Sequence, residues 1–180
     1  VFSRNYEEGI LTAYRDLPEA DVIIFNIGNR PAHWGDMPKK LGYLDLMHVA
    51  SWQISFKRES IVNNNVYFDE HMGAGSGNGA EEEFRFLTDC RKNGLAIYYV
   101  PFVIADVAQT KSTWFKGYNE EFFINRGNTT RYIMGYVPAV LYAAYYSIRK
   151  RHQFDSDISW FKAFRLIMKG IHENRLGKKK

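Results

Sequence analysis

Residues 81–104 read EEEFRFLTDCRKNGLAIYYVPFVI, and this stretch decides the fold class. Its first half is a helix with complete end signals. Glu81, Glu82 and Glu83 fill the first turn, Arg91 and Lys92 the last, and Asn93-Gly94 supplies the C-cap. Its second half, Leu95 to Ile104, is apolar and aromatic. It reads as a buried strand that enters an edge or loop at Pro101. A helix running into a buried strand gives this part of the chain an α/β character.

The reading extends outward in both directions. Tyr6, Ile10, Ala13 and Tyr14 recur at helical spacing and predict a helix over 5–16, ended by Leu17-Pro18. Val22 to Ile27 is a short apolar, β-branched run that reads as a second buried strand. The stretch from Gly28 to Lys40 reads as loop, and 41–50 fits either helix or strand. Trp52, Ile54 and Phe56 alternate with Gln53, Ser55 and Lys57, which predicts a half-buried strand. Arg58 to Ile61 begins a short helix, and Asn63-Asn64-Asn65 is turn-like. Downstream, three helices are expected over about 113–123, 132–148 and 158–171. The composition changes near Arg131, so the chain reads as an α/β part over 1–130 and a basic, aromatic helical tail over 131–180.

Composition excludes several classes. The chain has 180 residues, of which 46% are hydrophobic and 16% aromatic, which is too apolar for a disordered chain. Cys90 is the single cysteine, so no internal disulfide and no cysteine-based zinc site can form. That usage is consistent with a reducing compartment. The five histidines, His33, His48, His71, His152 and His172, show no zinc-helix spacing, and only His71 lies beside the glycine-rich segment. The formal net charge is +4 and is concentrated in the last third, in Arg149-Lys150-Arg151 and Lys178-Lys179-Lys180. These cations form no nucleic-acid motif, so nucleic acid is not an expected partner. Val1 is not an initiating methionine, and the chain reads as processed or cut from something longer.

Gly73-Ala74-Gly75-Ser76-Gly77-Asn78-Gly79 leads into the acidic helix start. Alternating glycines allow positive φ and let a ligand approach the backbone. Position 78 is Asn and a turn precedes the run, so it is not a dinucleotide fingerprint; it also lacks the Gly-Lys-Ser/Thr of a phosphate-binding loop. Opposed forces act on the three carboxyls. The helix N-terminus favours the charged form, whereas like charges and desolvation favour the neutral one. Such a group suits a general base for a substrate hydroxyl. The same residues also read as an ordinary acidic first turn after a loop.

The run FDEHMGAGSGNGAEEEFRFLTDCRKNGLAIYYVP (68–101) resembles the acceptor-side segment of bacterial family 2 glycosyltransferases. There an FDE element leads through a glycine-rich loop to an acidic "ED" pair at a helix start. An aromatic follows, then a helix ending in Gly and a strand ending Val-Pro. Aligning Asp89-Cys90, Gly94 and Val100-Pro101 puts the pair on Glu82-Glu83, with Phe86 as the aromatic and Glu83 where Asp is usual. ISFKRESI (54–61), ADVAQTKSTWFKGYNEEFFINRG (105–127) and residues 1–27 are similar to neighbouring segments of the family.

The resemblance implies the acceptor-side part of a nucleotide-diphospho-sugar transferase (A-type) fold with a helical tail. It implies an inverting sugar transfer from a nucleotide-sugar donor to a saccharide or lipid-linked acceptor, in bacterial surface polysaccharide assembly. Glu83, with Glu82 beside it, would be catalytic. Gly73, Gly75, Gly77, Gly79, Arg58 and Trp114 would bind substrate. The family's Asp-x-Asp would lie upstream of Val1, so no metal site is expected within this chain. Mg or Mn is expected in the complete enzyme, and the isolated chain is expected to be inactive. Asp155-Ser156-Asp157 is the only such triplet here and reads as a helix N-cap region.

The tail carries its own alternatives. Tyr132–Ile148 is uncharged but would span only about 25 Å as a helix, short of the ~30 Å hydrocarbon core. In the next helix Trp160, Phe161, Phe164, Ile167, Met168 and Ile171 gather on one side, and Lys162, Arg165 and Lys169 on another. That pattern suits a membrane surface, and it equally suits helices packed on a domain or on each other. A cytoplasmic location, peripheral on the inner face of the cell membrane, follows from the first option. The rival function is a non-catalytic membrane-surface binding module.

Overall fold

The computed structural model describes residues 1–28, 34–73, 76, 81–107 and 117–178. The chain divides into two compact units. One comprises Val1–Asp69 with Glu82–Lys111, the other Glu70–Glu81 with Ser112–Lys180.

The first unit is α/β. Its sheet has the order β2 (Lys39–Lys40), β4 (Ile97–Ala105), β1 (Val22–Ile27), β3 (Ile54–Phe56). β1 and β4 are parallel, and the two short outer strands are antiparallel to their neighbours. β1 is apolar throughout because both of its faces are covered. Ile23, Phe25 and Ile27 pack in a cluster with Ala13 of α1 (Tyr6–Asp16). Val22 and Ile24 point the other way and are also fully buried. On that second face Val22 pairs with Phe56, whose ring lies 5.7 Å from Phe86 of α3 (Glu82–Lys92). The two strands therefore carry a helix on each side.

Asp21 ties the amino ends of these strands together. Its carboxyl accepts from the Ser60 hydroxyl at 2.6 Å and from the Ala96 N–H at 2.8 Å. Its carbonyl accepts from Lys57 N–H at 2.9 Å. One side chain thus anchors α2 (Arg58–Asn63), β1 and the entry to β4.

Two strand expectations change. β4 is an inner strand over Tyr98 and Tyr99, paired on both sides. Pro101 lies where β2 has ended and the register with β1 slips, with Phe25 opposite Val100 but Asn26 opposite Val103. A missing N–H is tolerated at such a bulge. The alternation at 52–56 is kept only within β3, where Ile54 and Phe56 pair with Ile24 and Val22 on the covered second face. Residues Ser51–Gln53 form a 3-10 turn, and Gln53 is buried. The Gln53 amide is satisfied inside, because its Nε2 donates to the Phe25 carbonyl at 3.1 Å.

The second unit is helical: α4 (Glu120–Met134), α5 (Tyr136–Arg149) and α6 (Trp160–Glu173) around one apolar core. Asn119 caps α4, its side chain accepting from Phe122 N–H at 2.9 Å. Gly135, at φ 84°, separates α4 from α5. Residues 113–116 of the first expected helix lie outside the described residues; α4 begins at the Asn119 cap, and the helix expected over 132–148 is split by Gly135 between the end of α4 and α5. The composition shift near Arg131 falls inside α4, so it marks no break in the chain. Residues Gly127 to Thr130, polar in sequence, are buried. Thr129 and Thr130 satisfy their hydroxyls on the carbonyls four residues back, at 2.8 Å each.

The apolar side of α6 is buried through Ala163, Ile167 and Ile171 against α4 and α5. That part of the face is used in packing, the second of the two options open from sequence, while Trp160 and Phe161 at the start of α6 stay exposed. Among the described residues no helix is long and apolar enough to cross a membrane.

Candidate active site

Glu82 and Glu83 open α3, whose C-terminus feeds β4 through a short turn closed by Leu95 N–H on the Cys90 carbonyl at 3.0 Å. A helix entering a parallel strand this way runs antiparallel to it. Its N-terminus therefore lies toward the carboxyl ends of the parallel strands, the usual ligand edge of an α/β sheet. The hydrogen bonds fix this level. Glu83 Oε1 accepts from Ser51 N–H at 3.2 Å, and the same turn is tied by Gln53 to Phe25, in the carboxyl half of β1.

The aromatic after the acidic pair has a structural partner. Phe68, from the FDE element, stacks on Phe86 with ring centroids 4.3 Å apart and planes within 3°. This contact holds the chain before the glycine-rich segment against the helix that follows it.

Glu82 differs from its neighbour. Its Oε2 is withdrawn from solvent and has no hydrogen-bond partner among the described residues. Burial, reinforced by the Glu83 carboxylate, raises its pKa above the ordinary glutamate range against an opposing backbone hydrogen bond. Of the forces set against each other in the sequence, desolvation wins here. A raised folded-state pKa means that the native state binds more protons. Stability then falls as pH rises from the unfolded pKa through the folded one, and stays reduced above it. Glu82→Gln is therefore expected to raise the thermal midpoint at neutral pH. The gain should vanish below the ordinary glutamate pKa, as seen by melting both proteins across acidic pH.

The remaining site expectations divide. Arg58 is exposed at the start of α2, next to the Phe56–Val22 pair at the amino end of β1. The structure does not bring it to the acidic pair, because antiparallel β3 carries the chain from the Ser51 level to the opposite end of the sheet. Gly73 belongs to the second unit and adopts φ 84°. Its carbonyl accepts from both the N–H and the hydroxyl of Ser76, at 3.2 and 2.9 Å. Gly75, Gly77, Gly79 and Trp114 lie outside the described residues. His71 is exposed in the second unit.

Glu81 plays no part in the pair. It takes φ 87°, rare for a non-glycine residue, and makes an ion pair with Arg126 of the same unit at 3.1 Å. Neither Ser51 nor Arg126 was singled out from sequence. A backbone donor leaves no residue-type signal, and a lone arginine among aromatics has no spacing to announce it. Among the described residues no group of three or more His, Cys, Asp or Glu is placed to hold a metal ion. Asp155 and Asp157 sit in an exposed turn between α5 and α6. Comparison with known proteins finds no matching family model, no similar curated protein and no matching solved structure.

Proposed function

We propose that this chain supplies the acceptor-activating side of an inverting glycosyltransferase of the family its 68–101 segment resembles. The observation that carries the reading is the acidic pair at the start of α3, with Glu83 held by Ser51 N–H at the carboxyl edge of two parallel strands. A hydroxyl of the saccharide or lipid-linked acceptor gives its proton to Glu83 as its oxygen bonds to the anomeric carbon. The bond from that carbon to the nucleoside diphosphate breaks, and the diphosphate leaves with the electron pair. One protein carboxylate is enough for this single displacement, unlike the two used in glycoside hydrolysis.

Glu82 is the second candidate for the base, favoured by its place beside Glu83 and by a pKa that burial raises. A base must hold the proton it takes, and a carboxyl tuned upward does so better. The test is nucleoside diphosphate release from a nucleotide-sugar, with acceptor, by the transferase carrying this chain. Glu83→Gln is expected to lower kcat by about a hundredfold or more, with the fold intact. If Glu82→Gln alone shows that loss, the base is Glu82. Full activity in both variants would overturn the reading.

A further inference from the structure

α5 has two apolar faces, and only one is used inside the unit. Ala139, Ala143 and Tyr146 point into the core. Val137, Leu141, Tyr145 and Ile148 recur at three- and four-residue steps on the outer face, 66%, 67%, 52% and 55% exposed. Large side chains aligned this way form a continuous apolar stripe, the kind of surface that monomeric proteins keep for an interaction.

The charge around the stripe names the occupant. From Phe122 to Phe154 the sequence has no Asp or Glu and five cations: Arg126, Arg131, Arg149, Lys150 and Arg151. Arg126 is turned onto Glu81, and Arg131 lies over the Tyr136 ring at 5.0 Å. Arg149 and Arg151 are exposed at the end of the stripe. The next carboxylates, Asp155 and Asp157, come only after the helix and its following turn. Asp155 and Asp157 are exposed just beyond Arg151, but α5 itself offers a second copy no carboxylate for these cations. An anionic bilayer meets both demands, with acyl chains for the stripe and phosphates for the arginines.

We propose that the outer face of α5 docks on an anionic lipid surface, with Val137, Leu141 and Ile148 entering the acyl boundary. Arg149, Lys150 and Arg151 meet lipid phosphates, and Tyr145 sits at headgroup level, where amphipathic rings are favoured. The expected element was α6, whose Ile167 and Ile171 are instead buried in the core with Phe164 and Met168 packed against it, while Trp160 and Phe161 at its start stay exposed. This docking goes beyond the transferase reading and does not depend on it.

The test is flotation of the 180-residue chain with phosphatidylcholine vesicles, with and without phosphatidylglycerol. Binding to the anionic vesicles is expected, falling steeply with salt. Each basic residue near such a surface changes partitioning roughly fivefold, so Arg149→Glu with Arg151→Glu should weaken binding at least about tenfold. Leu141→Glu should do the same with an unchanged circular dichroism spectrum. Val137→Gln with Ile148→Gln gives an uncharged second variant. Three results would overturn the proposal. One is the absence of binding to anionic vesicles. Another is binding that survives loss of the stripe. The third is a dimer, dissolved by Leu141→Glu, in a protein that ignores vesicles.

Discussion

Gly127→Ala is expected to destabilise the helical unit by about 3 kcal/mol, the upper end for overpacking a close contact. That corresponds to a fall in its thermal midpoint of roughly 10–20 °C. A Cβ on Gly127 would overlap the carbonyl oxygen of Ile167, and one on Gly170 would overlap that of Ile124. Both obstacles are backbone atoms within helices, so no side-chain rotation relieves them. α4 and α6 must move apart, and the buried contacts of Ile167 and Ile171 loosen with them. The sign makes this informative. Helix propensity alone would have alanine stabilise either position by about 1 kcal/mol. Gly170→Ala should behave like Gly127→Ala, because the two glycines face one crossing. Thermal and urea unfolding followed by circular dichroism measure the effect, and a variant as stable as the parent would refute the close crossing.

Arg126→Ala is the second large effect, expected to cost about 3 kcal/mol. The guanidinium lies over the Phe122 ring at 4.9 Å and the Tyr146 ring at 4.5 Å. Its Nη1 donates to the Tyr142 hydroxyl at 2.8 Å and faces Glu81 Oε1 at 3.1 Å. The side chain is only 21% exposed. Burial by itself would lower the arginine pKa, but the Glu81 carboxylate and the nearby tyrosines more than offset it, and the net direction is upward. Removing the cation leaves its aromatic cradle empty and takes the counter-charge away from Glu81. Arg126→Lys should recover only part of the loss, since an ammonium lacks the planar face that lies on both rings. A double-mutant cycle with Glu81→Gln is expected to show coupling of at least about 1 kcal/mol. Additive losses would mean that the pair contributes nothing.

The elements that announced themselves in sequence were those whose local signals agreed with their final surroundings. α1, β1 and α3 fall within a residue of their expected bounds, because periodicity and caps coincide with burial there. Gln53 misled because alternation assumes a regular strand, whereas a 3-10 turn rotates the chain just before β3. The composition shift near Arg131 looked like a boundary, but it falls inside α4. The residues Gly127, Thr129 and Thr130 just before it are small or self-bonded, and that is what lets α6 approach α4 so closely. Apolar patterning on α6 indicated an interaction surface without saying that the partner was α4 and α5. In the acidic pair, the residue types and the helix start were legible. The Ser51 clamp was not, because a main-chain N–H from a turn thirty-two residues away leaves no trace in composition.

The central claim is a single displacement driven by one carboxylate of the Glu82–Glu83 pair. The anomeric configuration of the first-formed product tests it most directly. A nucleotide-sugar of known configuration is incubated with acceptor and the protein, and the new linkage is read by NMR before any slow equilibration. The expected product has the opposite anomeric configuration to the donor, and its formation is lost in the doubly substituted Glu82→Gln, Glu83→Gln protein. A product that retains the donor configuration, or transfer that continues without both carboxylates, would contradict the account.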